Sequence, residues 1–499
     1  MKIRLADYIA DFLVSRGISD CFTVVGGGAM HLNDAFGHKN GLVCHYNHHE
    51  QACAIAAEAY ARLDNRPALV CVTTGPGGTN AITGVLGAWL DSIPMFVVSG
   101  QVRYDTTARY AERFTDGLPL RAVGDQEFDI TRSVGCMCKY AEMLEKPEDI
   151  RYMLEKAWFL MKAGRPGPVW LDIPVNYQGM TIETDGLRGY ASEENAALLP
   201  PHVSDETADK ILEKIAKAKR PVIYAGGGIR LSGGYKEFRL AAERLGVPVV
   251  TYWNSVDLME DDDPLYCGRG GNMGDRAGNF AVQNSDLVLA VGTRISIRQV
   301  GYNWKTWARE AEVVMVDIDP AEMKKPTLHV DMAVHADAKD FFEALLRRTA
   351  SRETPVFLGE RWRETQIPRH ARTALEGKRR NCQRVCVRPL FERSPARKQP
   401  HGGKQRRLLR RRAPELENEK GYAVYHQQRR RQHGLRSARR RRTLYRFGRQ
   451  GNNMPRGRRK HHDEPSRITD DRHLEASRQD FPHQQRGLSQ HPTDAEQPL

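Results

Sequence analysis

The sequence predicts an α/β protein: two doubly wound parallel-sheet domains, over residues 1–175 and 201–350, followed by a basic tail without a packed core. Three observations carry this. Continuous apolar runs of four to six residues alternate with helical patterns, as strands buried on both faces do. Several of these runs end in glycine turns, among them Gly26-Gly27-Gly28, Gly75-Pro76-Gly77-Gly78 and Gly226-Gly227-Gly228. The texture breaks near residue 375, beyond which Arg, Gln, His and Pro dominate.

The elements follow in order. Leu5, Tyr8, Ile9, Phe12 and Leu13 recur at helical spacing, and Gly17 stops that helix. Residues 21–25 read as a buried strand and 42–45 as another. An alanine-rich helix covers 51–63. Residues 68–73 form a strand, the glycine turn at 75–78 follows, and a third helix comes next. Strands are expected at 95–98 and 169–172. Residues 176–200, polar and without sustained periodicity, are expected as a linker. In the second domain, strands are expected at 221–225, 247–251, 287–291 and 313–317, with a closing strand and helix between 331 and 346.

Charge divides the same way. The whole chain carries 76 Lys and Arg against 62 Asp and Glu. Residues 378–499 hold 33 basic and 12 acidic side chains, leaving 43 basic and 50 acidic for residues 1–377. An acidic globular part thus precedes a strongly basic tail. Such a tail reads as a disordered segment by composition or as a nucleic-acid arm by charge. Its aromatics, Tyr422, Tyr425, Tyr445 and Phe447, are too sparse for a base-stacking surface, so no specific nucleic-acid partner is expected. The nine cysteines include no CxxC pair and read as reduced thiols of a cytoplasmic protein. No apolar run approaches ~18 residues, so neither a signal core nor a membrane span is expected.

Two constellations can carry chemistry. His48-His49-Glu50-Gln51-Ala52 places a carboxylate at a strand-to-helix junction, where ligands of parallel sheets bind. An acidic residue in a first helical turn also offsets the helix dipole, so capping is an equally physical reading of Glu50. Thr74-Gly75-Pro76-Gly77-Gly78-Thr79-Asn80 offers a backbone that a ligand can approach closely, or an ordinary tight turn.

Over roughly residues 1–350 these motifs, in order and spacing, resemble the thiamine-diphosphate-dependent enzymes, in particular the acetolactate synthase (acetohydroxyacid synthase) large subunit. The resemblance runs through residues 22–30, His49-Glu50-Gln51-Ala52, residues 75–80, Ser99-Gly100-Gln101-Val102, Gln126-Glu127, residues 164–169 with Asp172-Ile173-Pro174, and Asp317-Ile318-Asp319-Pro320. Asp125 stands where that family usually has Phe. The resemblance makes 1–175 a pyrimidine-binding domain and 201–350 a central domain. It implies Glu50 as the catalytic acid that hydrogen-bonds the aminopyrimidine and promotes deprotonation of the thiazolium, a role suited by burial that raises its pKa. It implies Gly26, Pro76, Gly77 and Asn80 as further cofactor-binding residues. Gln126 and Lys139 fall on the substrate side, although a solvated surface lysine is an equal reading of Lys139. The implied reaction decarboxylates a 2-oxo acid such as pyruvate and transfers its two-carbon unit to a second 2-oxo acid, in a homodimer or homotetramer. Another decarboxylase or carboligase using the same cofactor, or a non-catalytic binding module, is the alternative. An FAD, with Gly226–Gly228 and Gly268-Arg269-Gly270-Gly271 as approach points, is a further implication.

The family's third domain, which holds the diphosphate through Mg²⁺ with a Gly-Asp-Gly motif and a later Asn-Asn, has no counterpart in the tail as written, so no metal ligand is assigned. Read one base later, however, the codons for Gly457-Arg458-Arg459 permit Gly-Asp-Gly. Those for residues 460–464 permit Ser-Ile-Met-Met-Asn, and those for Gln484-Gln485-Arg486 permit Asn-Asn-Glu. Residues 351–499 therefore read as a linker and a frameshifted remnant of the diphosphate-binding domain, with a one-base slip near residues 365–380 and a product that is inactive as written.

Overall fold

The computed structural model describes residues 1–351. The tail and its frameshift reading lie outside the described residues.

A short antiparallel pair opens the chain, β1 (Lys2–Arg4), whose partner comes from far along the sequence. Then follow β2 (Asp20–Thr23), β3 (Val43–Tyr46), β4 (Leu69–Val72), β5 (Met95–Gln101), β6 (Tyr140–Met143) and β7 (Pro168–Pro174), which form one six-stranded parallel sheet in the order β3-β2-β4-β5-β7-β6. Its central strands are buried throughout: every residue of β4, β5 and β7 lies inside. Alternate side chains serve opposite layers. Leu69, Phe96, Val98 and Leu171 meet helices α1 (Leu5–Ser15) and α2 (Met30–His38), while Val70, Val72, Val97 and Trp170 meet α3 (Glu50–Asp64) and α4 (Pro76–Leu90). Helix α1 buries Leu5, Ile9 and Leu13 at one helical stripe and ends before Gly17, whose φ of 87° suits a residue without Cβ.

The partner of β1 is β8 (Thr181–Glu183), with Ile3 opposite Ile182. The segment expected as a linker is thus partly built into the first domain: its start forms a helical turn, Val175–Gln178, and then β8. Polar composition hid it, because a three-residue strand with one buried side chain leaves no periodicity to read.

The second sheet comprises β9 (Pro221–Ala225), β10 (Val249–Thr251), β11 (Tyr266–Arg269), β12 (Leu287–Val291), β13 (Glu312–Asp317) and β14 (Met332–His335), all parallel, in the order β11-β10-β9-β12-β13-β14. Counting from β9, this is the 3-2-1-4-5-6 order of dinucleotide-binding folds, with its topological switch point between β9 and β12. The first sheet reverses between β2 and β4. At a switch point neighbouring connections diverge to opposite faces and leave a crevice beyond the carboxyl ends of the strands. Each domain therefore offers one such crevice, and the glycine turns singled out from the sequence lie at both. Besides the β1–β8 pair, two strands of the parallel sheets escaped the sequence reading, β6 (Tyr-Ala-Glu-Met) and β11 (Tyr-Cys-Gly-Arg). β6 and β11 are edge strands, and their composition lacks the continuous apolar signal of the interior.

Candidate active site

The crevice of the first sheet is assembled by glycines. A Cβ on Gly26 would lie 2.5 Å from Thr73, one on Gly28 1.9 Å from the Thr74 hydroxyl, and one on Gly77 2.7 Å from Thr73 Cγ2. The turn after β2 and the turn after β4 can approach only because these side chains are missing. Gly75 takes a φ of 55°, and a Cβ there would fall 2.3 Å from the Gln126 carbonyl oxygen. The loop bearing Gln126 therefore rests on the start of α4, with Pro76 as that helix's first residue, where a missing N–H costs nothing.

Glu50 is the first residue of α3. His49 caps this helix, its Nδ1 accepting from the backbone N–H of Gln51 at 3.1 Å. Glu50 Oε2 accepts from the side-chain amide of Asn80 at 3.0 Å, and Oε1 stands 3.6 Å from where a Cβ on Gly77 would be. The pairing has a simple mechanical origin. Helices α3 and α4 touch at Ala54 and Gly84, where an added Cβ would come within 2.4 Å of Ala54 Cβ. Glu50 and Asn80 stand four residues, one turn, before each of these. The small-residue contact thus sets the distance between the two polar side chains.

Gly26, Glu50, Pro76, Gly77, Asn80 and Gln126 therefore share one crevice. Lys139 does not join them. It precedes β6, its backbone N–H bonds Pro168 O at the start of β7, and its ammonium donates to the carbonyls of Ala163 and Arg165. This is the amino-terminal edge of the sheet, opposite to Glu50. Lys139 is not a solvated surface lysine either: it is half-buried, and burial lowers its pKa to about 8. There its ammonium closes the 163–165 turn. The sequence reading also missed the support beneath the crevice. Fully buried Asp172 accepts from Ser99 Oγ at 2.6 Å and from Gln101 Nε2 at 2.9 Å, and the same Gln101 amide donates to Phe128 O at 2.8 Å. That chain of bonds ties the loop of Gln126 to the core. Buried Glu127 accepts from Val123 N–H through one oxygen and leaves the other without a partner.

Comparisons with known proteins decide what the crevice belongs to. Residues 3–120 match the thiamine pyrophosphate enzyme N-terminal TPP binding domain, and residues 208–345 match the thiamine pyrophosphate enzyme central domain. The chain belongs to the thiamine pyrophosphate enzyme family. Among its relatives, acetolactate synthase 1 of Oryza sativa subsp. japonica, a chloroplastic enzyme, is 33% identical over 70% of this chain and 52% of its own length. The probable acetolactate synthase large subunit of Methanocaldococcus jannaschii is 32% identical over 68% of this chain and 55% of its own length. That of Buchnera aphidicola subsp. Schizaphis graminum is 31% identical over 72% and 60%. The chain spans about half the length of the first of these relatives.

For a thiamine pyrophosphate enzyme the first crevice fits the cofactor's aminopyrimidine. A carboxyl and an amide stand beside a floor kept bare by Gly77, so a flat ring can reach Glu50. Among the described residues no group of three or more His, Cys, Asp or Glu could hold a metal ion. No helix among them is long and apolar enough to cross a membrane.

The second crevice opens into a cleft of about 270 Å³ between the two domains. Gly226 and Gly228 pack on the backbone of Gly292 and Thr293, where an added Cβ would lie 2.2 Å from Thr293 Cα in the first case and 2.8 Å from Gly292 Cα in the second; Gly227 meets nothing closer than 3.8 Å. Of the triplet, then, Gly227 presents bare backbone to the cleft and the other two close the fold. Asp317 lines the same cleft. Burial raises its pKa to about 6, and its Oδ2 has no partner. The glycines at 268, 270 and 271 do not line this cleft. Added Cβ atoms there would strike Asp275, the Tyr224 hydroxyl and the backbone of Arg298 and Gln299, so this loop is shaped by packing.

Proposed function

We propose that the chain is the pyrimidine-binding and central part of a thiamine-diphosphate-dependent carboligase of the acetolactate synthase kind, acting on 2-oxo acids. The observation that carries this reading is the Glu50–Asn80 pair set over the bare Gly77 at the switch point of the first sheet. The bound cofactor would supply the electron sink for decarboxylation. The chain's own residues supply the rest. The carboxyl of Glu50 is placed to exchange a hydrogen bond with a ring nitrogen, and Asn80 holds that carboxyl by one oxygen so that the other faces the ring. Pro76 and Gly77 give the ring a flat wall, and Gly26 keeps the opposite turn clear. Gln126, carried over this edge on its loop, is positioned toward the substrate.

The cleft of the second sheet suits an FAD, held for structure or redox. Its strand order, the bare backbone at Gly227 and the unpartnered buried carboxyl of Asp317 offer what a dinucleotide's backbone and hydroxyl groups need. Working as a homodimer or homotetramer belongs to the same reading, which rests on the relatives' family.

The tail as written supplies no diphosphate anchor in its sequence, so the translated product is proposed to be inactive and its gene to carry a one-base slip. Resequencing codons 360–385 tests the slip directly. A chain translated from the repaired frame should then convert pyruvate to an acetolactate-type product with thiamine diphosphate and Mg²⁺. No turnover from the repaired chain would overturn the assignment.

A further inference from the structure

Cys21 and Cys44 stand directly opposite each other on the parallel strands β2 and β3. Register partners point to the same face, and adjacent strands lie about 4.8 Å apart. That separation falls inside the roughly 4.4–6.8 Å Cα range that a disulfide spans. Strand β3 is the edge of its sheet, bonded on one side only, so it can move the fraction of an ångström that closure of the bridge needs. Cys21 is fully buried and Cys44 is half-buried. The Cys44 thiol faces Cys21 across the register pair, with Tyr46 two residues further along the same strand. These contacts and the neighbouring His45 hold the Cys44 thiol below its ordinary pKa, while burial holds Cys21 well above. An acidic, reachable thiol beside a buried, neutral one is the arrangement of an attacking and a resolving cysteine. Cys71, on the other side of β2, stands opposite Thr23 and is out of register with both.

We propose that Cys44 and Cys21 form a reversible thiol-oxidation site for hydroperoxides, with Cys44 attacking and Cys21 resolving. The Cys44 thiolate attacks one peroxide oxygen. The O–O bond breaks, the departing alkoxide or hydroxide takes a proton, and Cys44 becomes a sulfenic acid. The Cys21 sulfur then attacks the Cys44 sulfur. The S–O bond breaks and water leaves with the Cys21 proton. One hydroperoxide is reduced and two thiols are oxidised to one disulfide. Cys44, half-buried on an edge strand, leaves one sulfur of the bridge within reach of a small thiol reductant, as reversible disulfides require. Strand β3 leads through residues 47–49 into Glu50, so oxidation alters the strand that delivers the candidate catalytic carboxyl. That consequence rests on the proposed function; the thiol chemistry does not.

The test uses the full chain with Cys136, Cys382 and Cys386 replaced by serine, treated with hydrogen peroxide, alkylated and mapped by peptide mass spectrometry. The expected result is loss of two titratable thiols, a cross-linked peptide joining Cys21 to Cys44, and full reversal by dithiothreitol. Cys44→Ser should leave Cys21 reduced. Cys21→Ala, which buries no new polar group, should leave a sulfenic acid at Cys44 that dimedone labels. If that variant does not fold, the cross-link map of the parent chain decides alone. A Cys44 that stays reduced, pairs with Cys71, or oxidises to sulfinic acid while Cys21 remains a thiol overturns the proposal. An intact map with no activity in the repaired-frame chain would sink the function and leave this site standing.

Discussion

Glu50 and Asp172 are carboxyls with opposite demands. On the proposed function Glu50 must reach a ligand, and the structure leaves it half-buried with one oxygen free of Asn80. In a repaired-frame chain, Glu50→Gln should lower turnover by about 10²-fold or more, the usual worth of a positioned acid–base group. Steady-state rates at saturating cofactor check this, and unchanged turnover would refute the role. Asp172 serves the fold. Burial raises its pKa to about 7 against the bonds from Ser99 and Gln101. The folded state therefore holds its proton more tightly than the unfolded chain, so the contribution is full below about pH 4 and is lost as pH rises toward 7. The shift corresponds to roughly 4 kcal/mol at most. Thermal unfolding followed from pH 5 to 7.5 should show this decline, and Asp172→Asn should flatten it. Residues of this sort are hard to read from sequence. Asp172 was visible as part of a motif, but its bond to Gln101 joins residues 71 apart, and that amide's bond to Phe128 joins residues 27 apart.

Helices α3 and α4 illustrate how an element carries a site. Their contact at Ala54 and Gly84 leaves no room for a side chain. Gly84→Val should destabilise the first domain by about 1–3 kcal/mol through overpacking, and it should weaken aminopyrimidine binding more than thermal stability alone predicts, because Glu50 and Asn80 separate with the helices. Denaturant melts and cofactor titration of the repaired-frame chain separate the two effects. The sequence disclosed both helices through alanine content and the glycine turn, and it disclosed the interior strands through continuous apolar runs. Strands β6 and β11 were illegible because an edge strand answers to one neighbour and needs no apolar composition. At the 268–271 loop, glycine signals close approach but not what approaches, and the neighbours within this chain are Asp275 and Tyr224. Lys139 has backbone carbonyls for partners, which no sequence motif records.

Across the described residues, the two domains are fastened by backbone carbonyls and two acidic side chains, Glu322 and Asp319, both of which take Arg165. Arg294 donates to Leu90 O at 2.8 Å, Arg230 to Arg62 O at 3.1 Å, and Asn65 to Arg230 O at 3.0 Å. Glu322 gathers Arg165 from the first domain with Arg294 and Lys325 from the second. Burial alone would raise the Glu322 pKa, but Lys325 and Arg294 hold it below the ordinary value. Its contribution is therefore present above the unfolded glutamate range and is lost as pH falls through the lowered value, the reverse of Asp172. Glu322→Gln should cost about 1–3 kcal/mol by leaving Arg294 and Lys325 without their carboxylate while Arg165 keeps Asp319, and the loss should shrink in acid. Chemical denaturation at pH 7 and pH 4 checks both statements. For the chain as it stands, calorimetric titration at physiological salt should find no saturable, Mg²⁺-dependent binding of thiamine diphosphate. Binding abolished by a chelator would show a metal site and refute the frame reading.

The bare glycine contacts have a consequence for how this gene drifts. Gly84 and Gly226 are excluded from change by collision with Ala54 and with Thr293, whatever the protein does for its cell. On the proposed function, catalysis rather than collision keeps Glu50 and Asn80. In a lineage that has lost turnover but still makes a folded product, substitutions should accumulate first at positions 50 and 80 and last at 84 and 226. Sampling natural variants of the gene would therefore date the loss of selection for chemistry separately from the loss of selection for folding.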